Sequence, residues 1–450
     1  MPTGETRLVA FAPNAKFGTD LSPTVRMAKA EFGVEVFLVW HTIQGYWGGV
    51  DGRRLPGYHV CEQRRSFGEG VLHHAPCFNH DWWGNLLGFI PADHVARFYD
   101  AYHRALAQAG VDGVKVDSQA VLEALAFDQG GRIGLTRAYR RALEASVATH
   151  FGGRLINCMS NAQETFYASE QSTLLRTSID FFPERPETHG AHLYTNAQVA
   201  LWFGEFMHPD WDMFQSGPRW GAFHAARRAL SGGPVYVSDR PGEHDFGVLR
   251  RLVCTDGSVL RCDLLGRPTL DTLCVDPTRE PVLLKIWNRN GKSGIVGVFH
   301  AASEPSEQAP NLSGTVGPGD VPGLGGCGFA AYAHGARSLG VFRAGDRRPI
   351  TLGPREFEIF TFVPIERGFA AIGLADKYNS AGALRRVEFR DAGTCEIVIR
   401  DAGEFFAYSE ACPRRVDQAG VTIEFEYAAP TCALRIPVRP ELANRIALHW

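Results

Sequence analysis

No CxxC pair occurs in these 450 residues, and no cluster of His and Cys stands at zinc-site spacing. Ten cysteines are present, but they are scattered, at 61, 77, 158, 254, 262, 274, 327, 395, 412 and 432. Free thiols in a reducing compartment are therefore expected, without disulfides, a metal or a cofactor. Long apolar runs are lacking too: no stretch approaches the roughly 18–20 residues of a membrane-spanning helix. The opening residues, Met1-Pro2-Thr3-Gly4-Glu5-Thr6-Arg7, do not have the basic-then-apolar layout of a secretory signal, so a cytoplasmic protein is expected. Nor does one sign of charge dominate. The 46 Lys and Arg against 49 Asp and Glu leave a net charge of −3. That gives no electrostatic reason to expect nucleic acid or an anionic membrane surface as partner.

What is present is an alternation of helix and strand patterns over the first two-thirds. Ser22-Pro23 reads as a helix start, Val25, Ala28 and Phe32 follow at helical spacing, and Gly33 ends the helix. The apolar run Val34 to Val39 is a strand buried on both faces. From Asp93, a stripe of Val95, Phe98, Tyr99, Tyr102 and Leu106 predicts a second helix, stopped by Gly110 before the strand Gly113-Val114-Lys115-Val116. Leu135, Ala138, Tyr139, Ala142 and Leu143 predict a third helix, leading to a strand at Arg154-Leu155-Ile156. Further strands are expected at Thr173-Leu174-Leu175, Phe206-Met207 and Pro234-Val235-Tyr236-Val237, with helices over 195–203 and 219–230 between them. Six strands separated by helices argue for a parallel, helix-covered sheet. A closed (β/α)8 barrel needs eight.

From about Val282 the helical period fades. Val421, Ile423, Phe425 and Tyr427 alternate with Thr422, Glu424 and Glu426, a half-buried strand. Phe357, Ile359, Phe362 and Val363 predict another, Asp391-Ala392-Gly393 a hairpin turn, and the Gly/Pro/Ser-rich stretch 303–328 a loop. Two domains follow from this reading: a barrel-type α/β domain over 1–284 and an antiparallel β domain over 285–450.

The chemistry is expected directly after the strands. Asp117, Asn157 with Cys158, Arg176 with Asp180, Asp210-Trp211-Asp212 and Ser238-Asp239 each follow a predicted strand. In a parallel α/β barrel such positions converge on the mouth at the C-terminal strand ends. One Asp there is more often a helix cap; four strand ends bearing Asp, with aromatics and an Arg, argue for a site. Two carboxylates without a metal motif suggest glycoside chemistry, one attacking the anomeric carbon and the other protonating the departing oxygen. Lys115 projects from the same side of its strand as Asp117, and a cation there favours the carboxylate form a nucleophile needs. Asp180 lies between Ile179 and Phe181-Phe182, an apolar surround suited to a carboxyl that must hold its proton.

Several blocks carry a resemblance. They are Val39-Trp40-His41 running into Gly45-Tyr46-Trp47-Gly48-Gly49-Val50, then Asp112-Gly113-Val114-Lys115-Val116-Asp117-Ser118-Gln119, then Ile156-Asn157-Cys158-Met159-Ser160. Arg176-Thr177-Ser178-Ile179-Asp180-Phe181, the run Gly204 to Phe214 with Pro209-Asp210-Trp211-Asp212, and Ser231-Gly232-Gly233-Pro234-Val235-Tyr236-Val237-Ser238-Asp239 continue the order. In this the chain resembles the raffinose synthases and seed-imbibition proteins, or alkaline α-galactosidases, of glycoside hydrolase family 36. The resemblance implies a (β/α)8 barrel followed by a β-sandwich, and a double displacement that retains the α-configuration. It implies Asp117 as nucleophile, and Asp180, four residues after the Arg, as general acid/base. Lys115 and Arg176 would contact sugar hydroxyls, Cys158 would lie beside the galactose ring, Trp47 and Trp211 would wall the pocket, and Asp210 would join the substrate-binding set. Implied substrates are raffinose and galactinol, with sucrose as an acceptor.

Two departures from the family pattern stand out. Where the family commonly has Ser-Asp-Asp after the Arg, the first Asp is here Ile179. Full-length relatives also carry an N-terminal β domain and two more barrel strands, the second ending in an Asp-Asp-Gly-Trp type motif, so the barrel is expected to lack its first two strands. An active hydrolase or transferase is expected, against the alternative of an inactive galactoside-binding or truncated remnant. The loop 51–86, with Trp82 and Trp83, is a candidate acceptor subsite.

Overall fold

The computed structural model describes residues 6–65, 69, 86–127, 129–176, 178–303 and 309–450. Two compact units divide the chain, 1–177 and 178–450. Trp82 and Trp83 lie outside the described residues.

In the first unit, helix α1 (Ser22–Phe32) is entered through Asp20, whose Oδ1 accepts from the Ser22 N–H at 2.8 Å, and ends on Gly33 at φ 65°. Strand β1 (Leu38–Thr42) starts four residues later than the apolar run suggested. A two-stranded hairpin of β2 (Cys61–Arg64) and β3 (Leu86–Phe89) precedes α2 (Val95–Gln108), β4 (Gly113–Asp117), α3 (Gly131–Phe151), β5 (Leu155–Cys158) and β6 (Leu174–Arg176). Strands β1, β4, β5 and β6 lie side by side in that order, all parallel. Because pairing runs Trp40 to Lys115 and Thr42 to Asp117, side chains of one parity share a face. Val114 and Val116, of the other parity, are fully buried in a core with Phe98, Tyr99, Tyr139 and Leu143 from α2 and α3. The helices thus cover one face and leave the polar parity for the other.

One close approach ties the loop after β1 to the hairpin. A Cβ on Gly49, at φ +82°, would meet the Gly88 carbonyl oxygen at 1.7 Å. Glycine at both positions lets Val50 N–H reach that oxygen at 2.8 Å and Gly88 N–H reach Gly48 O at 3.1 Å.

The second unit begins with α4 (His189–Trp202), strand β7 (His208–Asp210) and α5 (Gly221–Ser231). The strand at 208–210 stands just beyond the Phe206-Met207 position expected. Pro234 to Val237 is not a strand: among the described residues it makes only an isolated bridge, Val237 to Phe214. Pro234 has no N–H to give a ladder, and Gly232 before it turns at φ 70°.

The rest of this unit is antiparallel. A six-stranded sheet includes Leu284–Asn290, Ser293–Phe299, Phe357–Pro364 and Gly328–Ala333. A four-stranded sheet holds Phe369–Leu374, Gly403–Ser409, Ala433–Val438 and Glu426–Ala428; a five-stranded sheet holds Leu384–Phe389, Thr394–Ile399, Arg445–His449, Arg415–Gln418 and Val421–Thr422. The last two share a core in which Phe405, Leu434 and Ile436 meet Ile397, Ile446 and Leu448. The turn Asp391-Ala392-Gly393 joins two paired strands, with Asp391 Oδ1 accepting from Gly393 N–H at 2.7 Å. Two expectations change here. Part of the stretch read as loop, Leu312–Val316, pairs with Arg348–Leu352. The alternating run from Val421 is broken into two short strands, Val421–Thr422 and Glu426–Ala428, in different sheets.

A boundary at 284/285 was expected from the loss of helical period, whereas α4 and α5 pack with the sheet that follows. Leu193, Ala197, Ala226 and Leu230 share one core with Leu284, Ile286, Ile295 and Phe299. No helix among the described residues is long and apolar enough to cross a membrane.

Candidate active site

In the first unit, the C-terminal ends of adjacent strands bring four of the predicted residues together. Asp117 closes β4, Cys158 closes β5 and Arg176 closes β6, with Cys158 directly paired to Arg176. Lys115 lies one pleat earlier on the face of Asp117. Asp117 is buried at 7% exposure, Cys158 at 1% and Arg176 at 2%; Lys115 is half-buried.

Two donors address the Asp117 carboxylate. The Trp40 indole N–H reaches Oδ2 at 3.1 Å, and the Ser118 backbone N–H reaches Oδ1 at 2.6 Å. The Cys158 thiol lies beside the carboxylate, close enough to feel its charge. Burial pushes that thiol well above its ordinary value; Arg176 and Lys115 pull it back, while the charge of Asp117 pushes it up again. It therefore remains S–H beside the carboxylate. Two cations, Lys115 and Arg176, stand around this Asp–Cys pair.

Aromatic rings flank it. Trp40 lies 4.9 Å from half-buried Trp47 between ring centroids and 6.2 Å from Tyr46, edge to face. Trp40 was quoted within a motif but given no role by the sequence reading. Its available signal was parity, since Trp40 and Thr42 share the face that Lys115 and Asp117 share; only the strand pairing shows that these faces coincide.

Beneath the strand ends, non-glycine residues turn left-handed immediately after the functional ones: Ser118 at φ 57° and Met159 at φ 45°. Such conformations cost roughly 1–3 kcal/mol and persist where surrounding contacts over-determine them. A buried polar network supplies those contacts. Gln119 Nε2 donates to Asn157 Oδ1 at 2.8 Å, and Arg140 Nη1 donates to Gln119 Oε1 at 2.9 Å and to Asn157 Oδ1 at 2.6 Å. Glu144 takes Arg140 at 2.5 Å, Ser172 Oγ at 2.6 Å, and two backbone N–H groups, of Glu170 and Gln171, at 2.8 Å. A second chain backs β1. Burial lowers His41 to about 4 and His103 to about 2, so both are neutral. His41 Nδ1–H donates to Thr42 O at 2.8 Å, which leaves its Nε2 to accept from His103 Nε2–H at 3.2 Å; His103 Nδ1 then accepts from Ser146 Oγ–H at 2.9 Å.

The second unit holds the other predicted residues. Asp180 and Ile179 are exposed, while Phe181 turns inward, stacked on His189 at 5.4 Å and edge-on to His224 at 4.5 Å. Within this unit the apolar neighbours of Asp180 in sequence do not enclose it, because Phe181 turns into the core. The Phe181 backbone N–H instead donates to Asp212 Oδ2 at 2.9 Å. Asp210 is fully buried and accepts from Tyr236 O–H at 2.8 Å and from Asp212 N–H at 2.9 Å. Trp211 is also fully buried and packs in the core, where a Cβ on Gly266 would meet its ring at 3.2 Å. Asp212, at φ 65°, has its carbonyl gripped by Arg228 Nη2 at 3.0 Å and Nε at 3.2 Å. Neither Asp212 nor the buried histidines and arginines of α4 and α5 were singled out for such a network from the sequence; nothing in linear spacing ties Arg228 to Asp212.

The strand-end carboxylate is held by an indole and a backbone N–H, with a thiol, two cations and aromatic rings beside it. The sequence pattern of raffinose synthase or seed imbibition protein Sip1 matches residues 6–308 and 326–438. The chain belongs to the raffinose synthase and seed imbibition protein family. It is 39% identical over 461 residues to a probable galactinol–sucrose galactosyltransferase 6 of Arabidopsis thaliana, covering 94% of this chain and 61% of that protein. A galactinol–sucrose galactosyltransferase of Oryza sativa subsp. japonica is 36% identical, over 96% of this chain and 60% of its own length. A stachyose synthase of Pisum sativum is 30% identical, over 88% and 50%. The chain thus spans about three-fifths of the length of these two galactosyltransferases. Among solved structures, an α-galactosidase from Saccharomyces cerevisiae aligns at TM-score 0.40 and 11% identity, over 59% of this chain and 75% of that one, a likeness too remote to argue from.

Proposed function

We propose that this chain carries the catalytic site of a retaining α-galactosyl enzyme, which transfers or hydrolyses α-galactosyl groups of galactinol or raffinose-family oligosaccharides. The observation that carries the reading is Asp117: a buried carboxylate at a strand end, oriented by Trp40 and Ser118 with Cys158, Lys115 and Arg176 beside it. Membership of a family whose curated relatives bear the names galactinol–sucrose galactosyltransferase and stachyose synthase supports the substrate class. Asp117 attacks the anomeric carbon while Asp180 gives its proton to the departing glycosidic oxygen; the Asp180 carboxylate then takes a proton from the acceptor hydroxyl or from water as the galactosyl–Asp117 ester breaks. Lys115 and Arg176 contact sugar hydroxyls, Cys158 lies beside the ring, and Trp47 walls the galactose. The parallel sheet and its helices are read as part of a (β/α)8-type barrel over 1–284, with 285–450 as the β-sandwich domain, and the protein as cytoplasmic.

Asp117→Gly tests the assignment. Turnover of an aryl α-galactoside should vanish, and added azide should restore release of the aryl group with β-galactosyl azide as product. Undiminished turnover by the variant, or an α-configured azide, would remove Asp117 from the nucleophile's role. Turnover of galactinol with and without sucrose then separates transfer from hydrolysis. A folded chain inert on all these substrates would favour the remnant.

A further inference from the structure

Far along the chain from these residues, the second unit has a cavity of about 730 Å³. That size falls within the roughly 300–1,000 Å³ of small-molecule sites. It is lined from the turn after Leu284–Asn290, the segment following Phe357–Pro364, and the strand Leu384–Phe389. One side is apolar, with Phe369 and Phe389 among its residues; five cations, Arg261, Lys292, Arg385, Arg386 and Arg400, stand against two carboxylates, Asp263 and Glu366.

The partners decide what the cavity can recognise. Asp263 is already engaged by the Gly291 backbone N–H at 2.6 Å, and Glu366 by Lys292 at 2.7 Å. Arg386 is drawn to Glu388 and Glu396, at 3.5 and 3.9 Å. Among the described residues, Arg261, Arg385 and Arg400 make no side-chain hydrogen bond or ion pair, and all three are exposed. The cavity therefore has donors and positive charge in surplus over its two carboxylates, within a chain whose net charge is −3. A neutral sugar offers a balance of donors and acceptors and leaves such a surplus unmatched. A phosphate ester supplies several anionic oxygens to forked guanidinium donors, and the apolar side suits the carbon skeleton that carries it.

We propose that this cavity is a binding site for a phosphorylated small molecule of sugar-phosphate size. The site is independent of the galactosyl chemistry assigned to Asp117.

Isothermal titration of the full chain with glucose 6-phosphate, inorganic phosphate and glucose, at 50 and 200 mM NaCl, tests it. Glucose 6-phosphate should bind one-to-one, more weakly at the higher salt, and inorganic phosphate should bind at least tenfold less tightly. Glucose should not bind. R385Q/R400Q should weaken glucose 6-phosphate binding at least tenfold, whereas R141Q, a charge loss on exposed α3 surface, should not. The proposal is overturned if the folded chain shows no saturable binding at 50 mM NaCl, or if R385Q/R400Q binds as tightly as the parent. Equal affinity for inorganic phosphate would reject the ester in favour of a free anion, and binding of glucose itself would reject the phosphate requirement.

Discussion

Asp117 receives its hydrogen bonds from two directions: along the chain from Ser118, and across the sheet from Trp40 on β1. Each donor holds the carboxylate at one angle, so removing one loosens it without abolishing it. Trp40→Phe keeps the ring packing against Trp47 and deletes the indole N–H. A hydrogen bond to a charged group is worth about 1.5–3 kcal/mol, so kcat/KM for an aryl α-galactoside should fall roughly 10- to 100-fold. Near-unchanged melting, followed by circular dichroism, should accompany that loss. Asp180→Ala behaves differently under the proposed role. Substrates with poor leaving groups need protonation and should lose most, while activated aryl galactosides should lose least. An equal loss across a series of leaving groups would count against the acid role. At this scale the sequence was informative about identity but not about company: Asp117 and Cys158 stood out at strand ends, whereas Trp40 became a partner only through strand pairing.

Among the elements, β5, α3 and the segment leading to β6 are joined by charge as well as by apolar contact. Arg140 is fully buried, and its guanidinium ties Gln119, Asn157 and Glu144 together. Breaking a buried pair by removing one partner costs about 3–5 kcal/mol, because the other charge is left behind. Arg140→Met should lower the unfolding free energy from urea denaturation by that amount, and Arg140→Met/Glu144→Leu should recover a large part of it; a double variant as unstable as the sum of the singles would refute the coupling. The helical stripe of α3 was readable from Leu135, Tyr139, Ala142 and Leu143, all buried as their spacing demands. Arg140 and Glu144 lie on the same helix and look, by spacing alone, like an exposed i, i+4 pair. Only the neighbouring strands bury them. The same limit explains Pro234 to Val237, where β-branched residues suggested a strand that the proline and the preceding glycine turn deny.

For the whole molecule, acidity is the plainest lever. His41 and His103 are held neutral by burial, lowered to about 4 and about 2, whereas in the unfolded chain a histidine titrates near about 6.5. Below about pH 6.5 the unfolded chain takes up protons that the folded chain refuses, so stability is complete above that value and falls as pH drops toward 4. At pH 5, His41 alone accounts for roughly 2 kcal/mol. The melting temperature should therefore be several degrees lower at pH 5 than at pH 7.5, and His103→Gln should flatten that slope. A melting temperature independent of pH across this range would show that the pair is not held neutral.

By itself the sequence determined the alternation of elements, the change from parallel α/β to antiparallel β structure, the family, and the strand-end positions of Asp117, Cys158 and Arg176. These follow from local rules: helical and strand periods, the punctuation of glycine and proline, and ordered motifs. Only the tertiary structure decided that Trp40 donates to Asp117, that Phe181 turns inward and leaves Asp180 exposed, that Trp211 is core, and that α4 and α5 share their core with the following sheet. Parity within a strand can be read along the chain. Which faces then meet depends on pairing and packing between segments far apart in sequence, and linear spacing carries no record of those.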